Sequence, residues 1–302
     1  MVCRDRKMLK SITLAALLLI LLSCQTSPKN IGEVLETGFL PLDNDAVIYI
    51  YADVQNALPI MEIFSIIPMN DKQFVKILDK TQSAVIAVFQ PNAVKNLQLA
   101  AWGKFPSTGA KMAMGSNKNW KKMRTTEGDI YWHSAADKLS VALDSRQANV
   151  LSINANAAAD APTEPFFKAP GINVPIGFDT KGAAVACWLA EPGAYINNKI
   201  NEMGLPLEIP AEQLFISLYP AAGQKYRMNI ALILPSASQA RGIASMLNIA
   251  RGFYKPDESN SMSSFLDILL SNHSVAEGSS INISVNNMEV NEIALLFKLF
   301  SL

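Results

Sequence analysis

The chain has 302 residues with 26 basic and 26 acidic side chains, so its formal net charge is zero. This balance disfavours nucleic acid as a partner, because phosphate backbones are bound by an excess of Lys and Arg. Half of the residues are hydrophobic and only 17% are charged, which is a low charged fraction for a protein surrounded by water. We therefore expect some apolar surface to be covered by a partner outside the chain.

The N-terminus has the composition of a bacterial export signal. Basic residues within the first ten positions precede an apolar run, LAALLLILLSC, which ends at Cys24. The run is shorter than the ~20 apolar residues that a membrane-spanning helix needs. Its last four residues, LLSC, resemble the lipobox of bacterial lipoproteins, so we predict cleavage before Cys24 and acylation of that cysteine. An ordinary secretory signal or an uncleaved anchor helix is the alternative.

Five segments are predicted. They are a signal peptide at 1–23, a lipidated N-terminus and tether at 24–40, a first α/β unit at 41–153, an Ala/Pro-rich linker at 154–175, and a second α/β unit with C-terminal amphipathic helices at 176–302. We expect the two units to pack as one globular body. Because Cys3 leaves with the signal and Cys24 is the predicted lipidation site, Cys187 has no disulfide partner, and its apolar neighbours predict a buried, unreactive thiol.

The first unit opens with a β-branched and aromatic run at 46–51, AVIYIY, which predicts a strand. A helix is predicted at 58–67, with Pro59 in its first turn. Only two of its positions after Pro59 are polar, Glu62 and Ser65. A helix without a polar face is either buried on every side or faces lipid.

Two hairpins are predicted next, one from strands at 83–89 and 97–105 and the other from strands at 129–132 and 139–143. A short Ala/Met helix at 109–114 follows the first hairpin. Between the hairpins lies the basic and aromatic stretch KNWKKMR, which begins at Lys118. It could contact anionic head groups, or it could be a solvated loop with one buried tryptophan.

The second unit repeats the pattern of the first. Its run AVACWLA at 184–190 matches AVIYIYA at 46–52, and both are followed by a predicted helix, at 194–203 in the second unit. The interval of 15 residues from Pro91 to Pro106 recurs from Pro220 to Pro235. We infer two strand-helix-strand-strand-helix units related by duplication, with chance similarity as the alternative. The predicted fold class is α+β in α/β/α layers, with a mostly antiparallel sheet flanked by amphipathic helices.

After the repeat we predict a helix at 236–252, a short amphipathic helix at 261–270, a strand at 281–285 and a C-terminal helix at 290–302. Apolar side chains of three predicted helices are the candidate lipid contacts, with burial in the core as the alternative. These residues are Leu58, Ile60, Met61, Ile63, Phe64, Ile67, Phe265, Leu266, Leu269, Ile293, Leu296, Phe297 and Phe300.

The sequence carries no catalytic signature. The two histidines, His133 and His273, are predicted to lie at the surface. The sequence contains no HExxH, CxxC, GxSxG or phosphate-binding loop motif, so we expect no enzyme activity, no metal and no cofactor. An enzyme is therefore a distant alternative.

Together with the lipobox, the stretches GFLPLDNDAVIYIYADVQNALPIMEIFS, DKTQSAVIAVF, LAAWGKFP and KNWKKMR resemble a treponemal outer-membrane lipoprotein of the spirochaetes. This resemblance implies an α/β/α fold whose amphipathic helices insert into lipid. It also implies a monomeric, non-enzymatic protein held at the outer membrane, on its periplasmic face, by acyl chains such as palmitate on Cys24. Its partners would be phospholipid or glycolipid, bound or carried. The alternative is a lipid-tethered periplasmic scaffold that binds an envelope protein.

Overall fold

The computed structural model describes residues 39–40, 42, 45–63, 79–89, 97–105, 115, 118–125, 128, 130–136, 138–144, 150–155, 172–175, 177–202, 208–253, 268 and 270–293. The predicted signal peptide, Cys24, the helix at 109–114 and most of the helices predicted at 261–270 and 290–302 lie outside these residues. The chain divides into two compact units, one of residues 1–55 with 67–175 and one of residues 56–66 with 176–302. The division after residue 175 coincides with the end of the predicted linker, whereas residues 56–66 group with the second unit.

The first unit is mainly an antiparallel sheet. In chain order its strands are β1 (Phe39–Leu40), β2 (Ile48–Asp53), β3 (Thr81–Val88), β4 (Leu97–Gly103), β5 (Lys121–Arg124), β6 (Ile130–Ser134), β7 (Leu139–Asp144), β8 (Val150–Ala155) and β9 (Ile172–Asn173). The strand order of the sheet is β2-β3-β4-β8-β7-β6-β5, and a separate antiparallel pair joins β1 to β9. Helix α1 (Val54–Ile63) follows β2, and its residues from 56 onwards group with the second unit.

The strand pairing of this sheet places apolar side chains together on one face. Ile50 lies opposite Ile86, and Ile86 lies opposite Leu99. Because side chains alternate along a strand, the residues two positions away share the same face. Apart from Gln82 and Gly103, which lie where the register of β3 and β4 becomes irregular, every residue of this face on β2, β3, β4 and β7 is Ala, Val, Ile or Leu, and we call it the apolar face of the first sheet. Its members are Ile48, Ile50, Ala52, Ala84, Ile86, Val88, Leu97, Leu99, Ala101, Leu139, Val141 and Leu143.

The second unit has an antiparallel sheet with the strand order β13-β14-β12-β11-β10. Its elements are β10 (Val185–Ala190), α2 (Gly193–Glu202), β11 (Gln213–Pro220), β12 (Tyr226–Ile233), α3 (Ala237–Phe253), β13 (Ser274–Glu277) and β14 (Ser280–Met288). Alternate residues of the central strands, such as Leu214, Leu218 and Leu232, are fully buried. The tyrosine hydroxyl of Tyr226 donates a hydrogen bond to the Asn56 carbonyl of α1 at 3.0 Å.

The predicted α+β class and the mostly antiparallel sheet are confirmed. Along the chain, β2-α1-β3-β4 and β10-α2-β11-β12 share the order strand, helix, strand, strand, and in both sets each strand pairs with the next one in sequence. The two hairpins have the same interval between their prolines, but their strands pair in different registers. Val85 pairs with Ala100, whereas its counterpart Leu214 pairs with Leu232 and not with Asn229.

Helix α1 begins at Val54, four residues before the predicted start, so Pro59 lies inside the helix and not in its first turn. Because proline has no N–H, the Gln55 carbonyl has no hydrogen-bond donor at the usual position four residues later. Gln55 is exposed, so water can supply that hydrogen bond. Strands β5 and β13 were not predicted. Strand β8 was also not predicted, and it overlaps the start of the predicted linker.

Candidate functional site

Helix α3 is apolar on two opposite sides. One side packs inward with Ala240, Ile243, Ala244 and Leu247, which are all buried. On the other side Met246, Ile249 and Phe253 recur at intervals of three and four residues, which places them on one face of the helix. We call these three residues the α3 stripe.

The α3 stripe is exposed. Met246 retains 49% of its accessible surface, Ile249 retains 63% and Phe253 retains 83%. Burial of a side chain of this size is worth about 1.5–3 kcal/mol, so leaving three of them in water forgoes several kcal/mol. Single exposed apolar residues are common, but three on one helix face form a patch of the kind that marks an interaction surface.

One further exposed hydrophobic side chain lies on a strand that α3 contacts. Among the described residues, the one other large hydrophobic side chain that is exposed is Val275 on β13, at 44%. Helix α3 contacts β13 and β14. Within the part of the second unit that the structure describes, exposed large hydrophobic side chains are therefore found only on α3 and β13.

The charges of α3 are of one sign. Arg241 and Arg251 are exposed, and the sequence of the helix contains no Asp or Glu. Helices that lie in the membrane interface combine an apolar face with basic residues on the polar side. The composition of α3 fits this class, although α3 also has a second apolar side that packs in the core.

Side-chain hydrogen bonds hold α3 in a fixed orientation. At its N-terminus the Gln239 N–H donates to Ser236 Oγ at 3.3 Å, which caps the helix. In its middle Asn248 Nδ2 donates to the Ser274 carbonyl at 2.7 Å, and Asn248 Oδ1 accepts the Ser274 N–H at 3.0 Å. The outward direction of the α3 stripe therefore follows from contacts on the other sides of the helix.

The predicted lipid-contact residues have different surroundings. Ile60 and Ile293 are buried in this structure, with 3% and 0% exposure, so they occupy core positions here. Leu58 and Met61 are half-buried on α1. The side chain of Ile63 and the whole of the other candidates lie outside the described residues, namely Phe64, Ile67, Phe265, Leu266, Leu269, Leu296, Phe297 and Phe300. Their contact with lipid stays a prediction.

The α3 stripe was missed because the candidate lipid contacts were sought on three other predicted helices. The helix at 236–252 was predicted, but none of its residues was among the candidates. The sequence does contain a signal for this surface. Met246, Ile249 and Phe253 recur at helical spacing, and the face that they form lies opposite the face of Ile243 and Leu247.

The reactive groups do not form a constellation in the described part of the chain. Cys187 is buried, as predicted, and burial raises the pKa of its thiol to about 12. His133 is half-buried, its Nδ1 lies 3.0 Å from Ser140 Oγ, and burial and then Lys121 lower its pKa. His273 is exposed, as predicted, and its Nδ1 lies 2.9 Å from Asn248 Oδ1.

Within the described ranges, no group of three or more His, Cys, Asp or Glu side chains could hold a metal ion. No helix among the described residues is long and apolar enough to cross a membrane.

Comparison with known proteins gives a family and a fold. The model of the family described as "Outer membrane-associated lipoprotein TP0453" matches residues 36–160, somewhat less than half of the chain. The curated proteins gave no match.

Three crystal forms of TP0453, a Treponema protein, are similar in structure. Form I is 17% identical and covers 86% of this chain and 96% of that chain, with a TM-score of 0.53. Form III is 16% identical and covers 85% and 96%, with a TM-score of 0.53. Form IV is 16% identical and covers 89% and 96%, with a TM-score of 0.54.

At these identities the structural similarity shows the fold, and the family match adds the class of protein. The location predicted from the lipobox and the resemblance, at the outer membrane with a lipid anchor, is confirmed by the family match, whereas the face of the membrane stays a prediction. The chain has the fold of TP0453, and its resemblance to a treponemal outer-membrane lipoprotein is confirmed.

Proposed function

We propose that this chain is a non-enzymatic outer-membrane lipoprotein that enters the membrane interface through the α3 stripe. The observation that carries the proposal is the exposure of Met246, Ile249 and Phe253 on one face of a helix fixed to its sheet. Arg241 and Arg251 supply the basic residues that accompany such a face at a membrane.

The stripe and the predicted acyl group at Cys24 complement each other. Each buried methylene of an acyl chain contributes about 0.8 kcal/mol, and a single chain alone gives only reversible attachment. Three side chains that leave water for the interface add several kcal/mol more. The stripe would therefore act as a second attachment signal and would also set how the second unit faces the membrane.

Lipid binding by the first unit is a further part of this proposal. On the apolar face of the first sheet, Ile50, Ile86 and Leu99 are half-buried and not fully packed. Trp132 lies on the same face, opposite Val141, and its buried Nε1–H has no hydrogen-bond partner among the described residues. An apolar surface with an unused donor suits an acyl chain that ends in an ester or a phosphate.

The test of lipid binding is a titration with a fluorescent fatty acid. Ile86→Asn should weaken binding severalfold, because it places an amide on the apolar face. Ile86→Leu at the same position is the control, since it keeps the face apolar. Equal affinities of the two variants would argue against a lipid site on this face.

The test of membrane contact uses the mature chain with Cys24→Ser, which cannot be acylated. Flotation with neutral vesicles should recover the protein, and Ile249→Glu with Phe253→Glu should abolish recovery because charge is costly in the interface. The matched control adds two glutamates on the polar flank of α3, as Ser238→Glu with Ser245→Glu, and should still float.

Protein binding is the competing outcome of the same experiment. Exposed apolar patches mark protein interfaces as well as membrane ones. A chain that never floats but forms a stoichiometric complex with one envelope protein, lost in the Ile249→Glu/Phe253→Glu variant, would replace the membrane role by a scaffold role.

A further inference from the structure

We infer that strand β5 and the preceding Lys118 form a cationic edge that contacts the anionic head groups of a membrane. This inference rests on the proposed attachment to a membrane and adds the class of lipid that the protein selects. It uses residues of the first unit, so it can fail or hold independently of the α3 stripe.

The cationic edge consists of Lys118, Lys121, Lys122 and Arg124, and all four side chains are exposed. Because neighbouring residues of a strand point to opposite faces, Lys121 and Lys122 present charge on both sides of the sheet. Trp120, between these lysines in sequence, is only 6% exposed. The buried indole fixes the start of β5, so the positions of the cations are set by the fold.

Strand β5 is the last strand in the order of the first sheet. It pairs with β6, with Lys121 opposite His133 and Arg124 opposite Ile130. No other strand among those described lies on its outer side. Lysines on edge strands commonly prevent edge-to-edge association. Here four cations lie within seven residues, and Lys118 precedes the strand, so protection of the edge does not account for all of them.

Among the described residues, the charges of this edge have no acidic partner. No salt bridge joins the four cations to another residue that the structure describes, and the Arg124 guanidinium makes one long hydrogen bond, 3.4 Å, to the Gly128 carbonyl. The acidic residues nearest in sequence are Glu127 and Asp129. Removal of residues 1–23 takes away four basic residues and one acidic residue, so the mature chain has a net charge of −3. The cationic edge is therefore a positively charged surface on a chain whose net charge is negative.

The composition of the edge favours a membrane over an acidic protein. Tight protein interfaces are built around aromatic or aliphatic anchors that enter pockets on the partner. Here Trp120 is buried and Met123 is half-buried, so the edge offers charge without an exposed apolar anchor. A surface of phosphates needs no pocket, and each Lys or Arg near it raises the partition coefficient about fivefold.

The test compares two vesicle types with the full mature chain carrying Cys24→Ser. One type is phosphatidylcholine alone and the other also contains phosphatidylglycerol. The triple variant Lys118→Gln/Lys121→Gln/Lys122→Gln should bind the anionic vesicles at least about tenfold more weakly and the neutral vesicles as well as the parent does. Salt that shortens the Debye length to about 3 Å should remove the preference of the parent.

The matched control removes the same charge elsewhere. Lys80, Lys104 and Lys181 are exposed, and their triple change to Gln should leave anionic binding within about twofold. The triple change of the edge lysines to Arg should retain it, which separates charge from side-chain identity. Circular dichroism and thermal unfolding verify that each variant is folded.

Three results with vesicles would overturn the inference. The parent could bind both vesicle types equally, the two triple Gln variants could lose anionic binding to the same extent, or the edge variant could bind like the parent. Capture of an acidic protein in place of vesicles would also overturn it. If the parent binds anionic but not neutral vesicles and the edge variant loses that binding, the cationic edge stands while the α3 stripe fails.

Discussion

Asn248 and Ser274 exchange two hydrogen bonds that join the middle of α3 to the first residue of β13. The Asn248 Nδ2 donates to the Ser274 carbonyl at 2.7 Å, and the Ser274 N–H donates to Asn248 Oδ1 at 3.0 Å. Because β13 is a short strand at the edge of its sheet, this exchange fixes both the strand and the helix. The next residue, Ile249, belongs to the α3 stripe and is exposed.

Replacing Asn248 by Ala should destabilise the protein by about 2–3 kcal/mol. The change leaves two backbone groups of Ser274 without their partners, and Ser274 is only 3% exposed, so water replaces them poorly. Urea unfolding measures the effect. Ser245→Ala, an exposed position one turn earlier, should change stability by less than about 0.5 kcal/mol, and similar losses in both variants would refute the role of the pair.

Two glycines should respond to Ala in opposite directions. A Cβ at Gly103 would lie 2.1 Å from the Lys80 carbonyl oxygen, so Gly103→Ala must displace backbone and should lower the unfolding free energy by more than about 1 kcal/mol. At Gly242 in α3 nothing lies within 4 Å of the added atom. Gly242→Ala should therefore raise the unfolding free energy by about 0.5–1 kcal/mol, and a loss there would contradict the helical environment.

Cys187 should not react with thiol reagents in the folded protein. The side chain is buried and its pKa is raised to about 12, so neither access nor thiolate is available near neutral pH. In the mature chain with Cys24→Ser this is the one cysteine. A chromogenic disulfide reagent should detect no thiol without denaturant and one thiol per chain in urea; rapid reaction without urea would show that the strand opens.

Stability should fall on mild acidification in part because of His133. Burial and then Lys121 lower its folded-state pKa below the usual ~6.5, so the unfolded chain takes up the proton at a higher pH than the folded chain does. The stability from the neutral ring is complete above about pH 6.5 and is lost as the pH falls through the folded pKa. His133→Gln should show a smaller drop in Tm between about pH 7.5 and about pH 5 than the parent, and an equal drop would remove His133 as a cause.

Apolar and β-branched runs predicted most of the fold. Local sequence patterns were enough to predict the strands of the two hairpins in the first unit, helix α3 and the burial of Cys187. These patterns do not depend on which elements pack against them. Strand β5 was not predicted, because a run of Lys and Arg lacks the alternation of a half-buried strand. Its position comes from pairing with β6 and from Trp120, which are tertiary contacts.

The candidate surface was harder to predict than the fold. A helix with apolar residues on two sides is consistent with complete burial, and sequence spacing does not show which side meets the core. The structure decides this point, because Leu247 is buried and Ile249, on the opposite side of the helix, is exposed. Conversely, Ile60 and Ile293 belong to apolar segments that suggested lipid contact, and in this structure both are buried.

The most direct test of the α3 stripe places an environment-sensitive fluorophore on a single cysteine at position 249 of the mature Cys24→Ser chain. Buried Cys187 does not compete for the label. With neutral vesicles the emission of Ile249→Cys should shift to the blue and lipid-borne quenchers should reduce it, whereas Lys181→Cys, an exposed turn position of the same unit, should not change. No shift at position 249, or equal shifts at both positions, would contradict entry of the α3 stripe into the membrane.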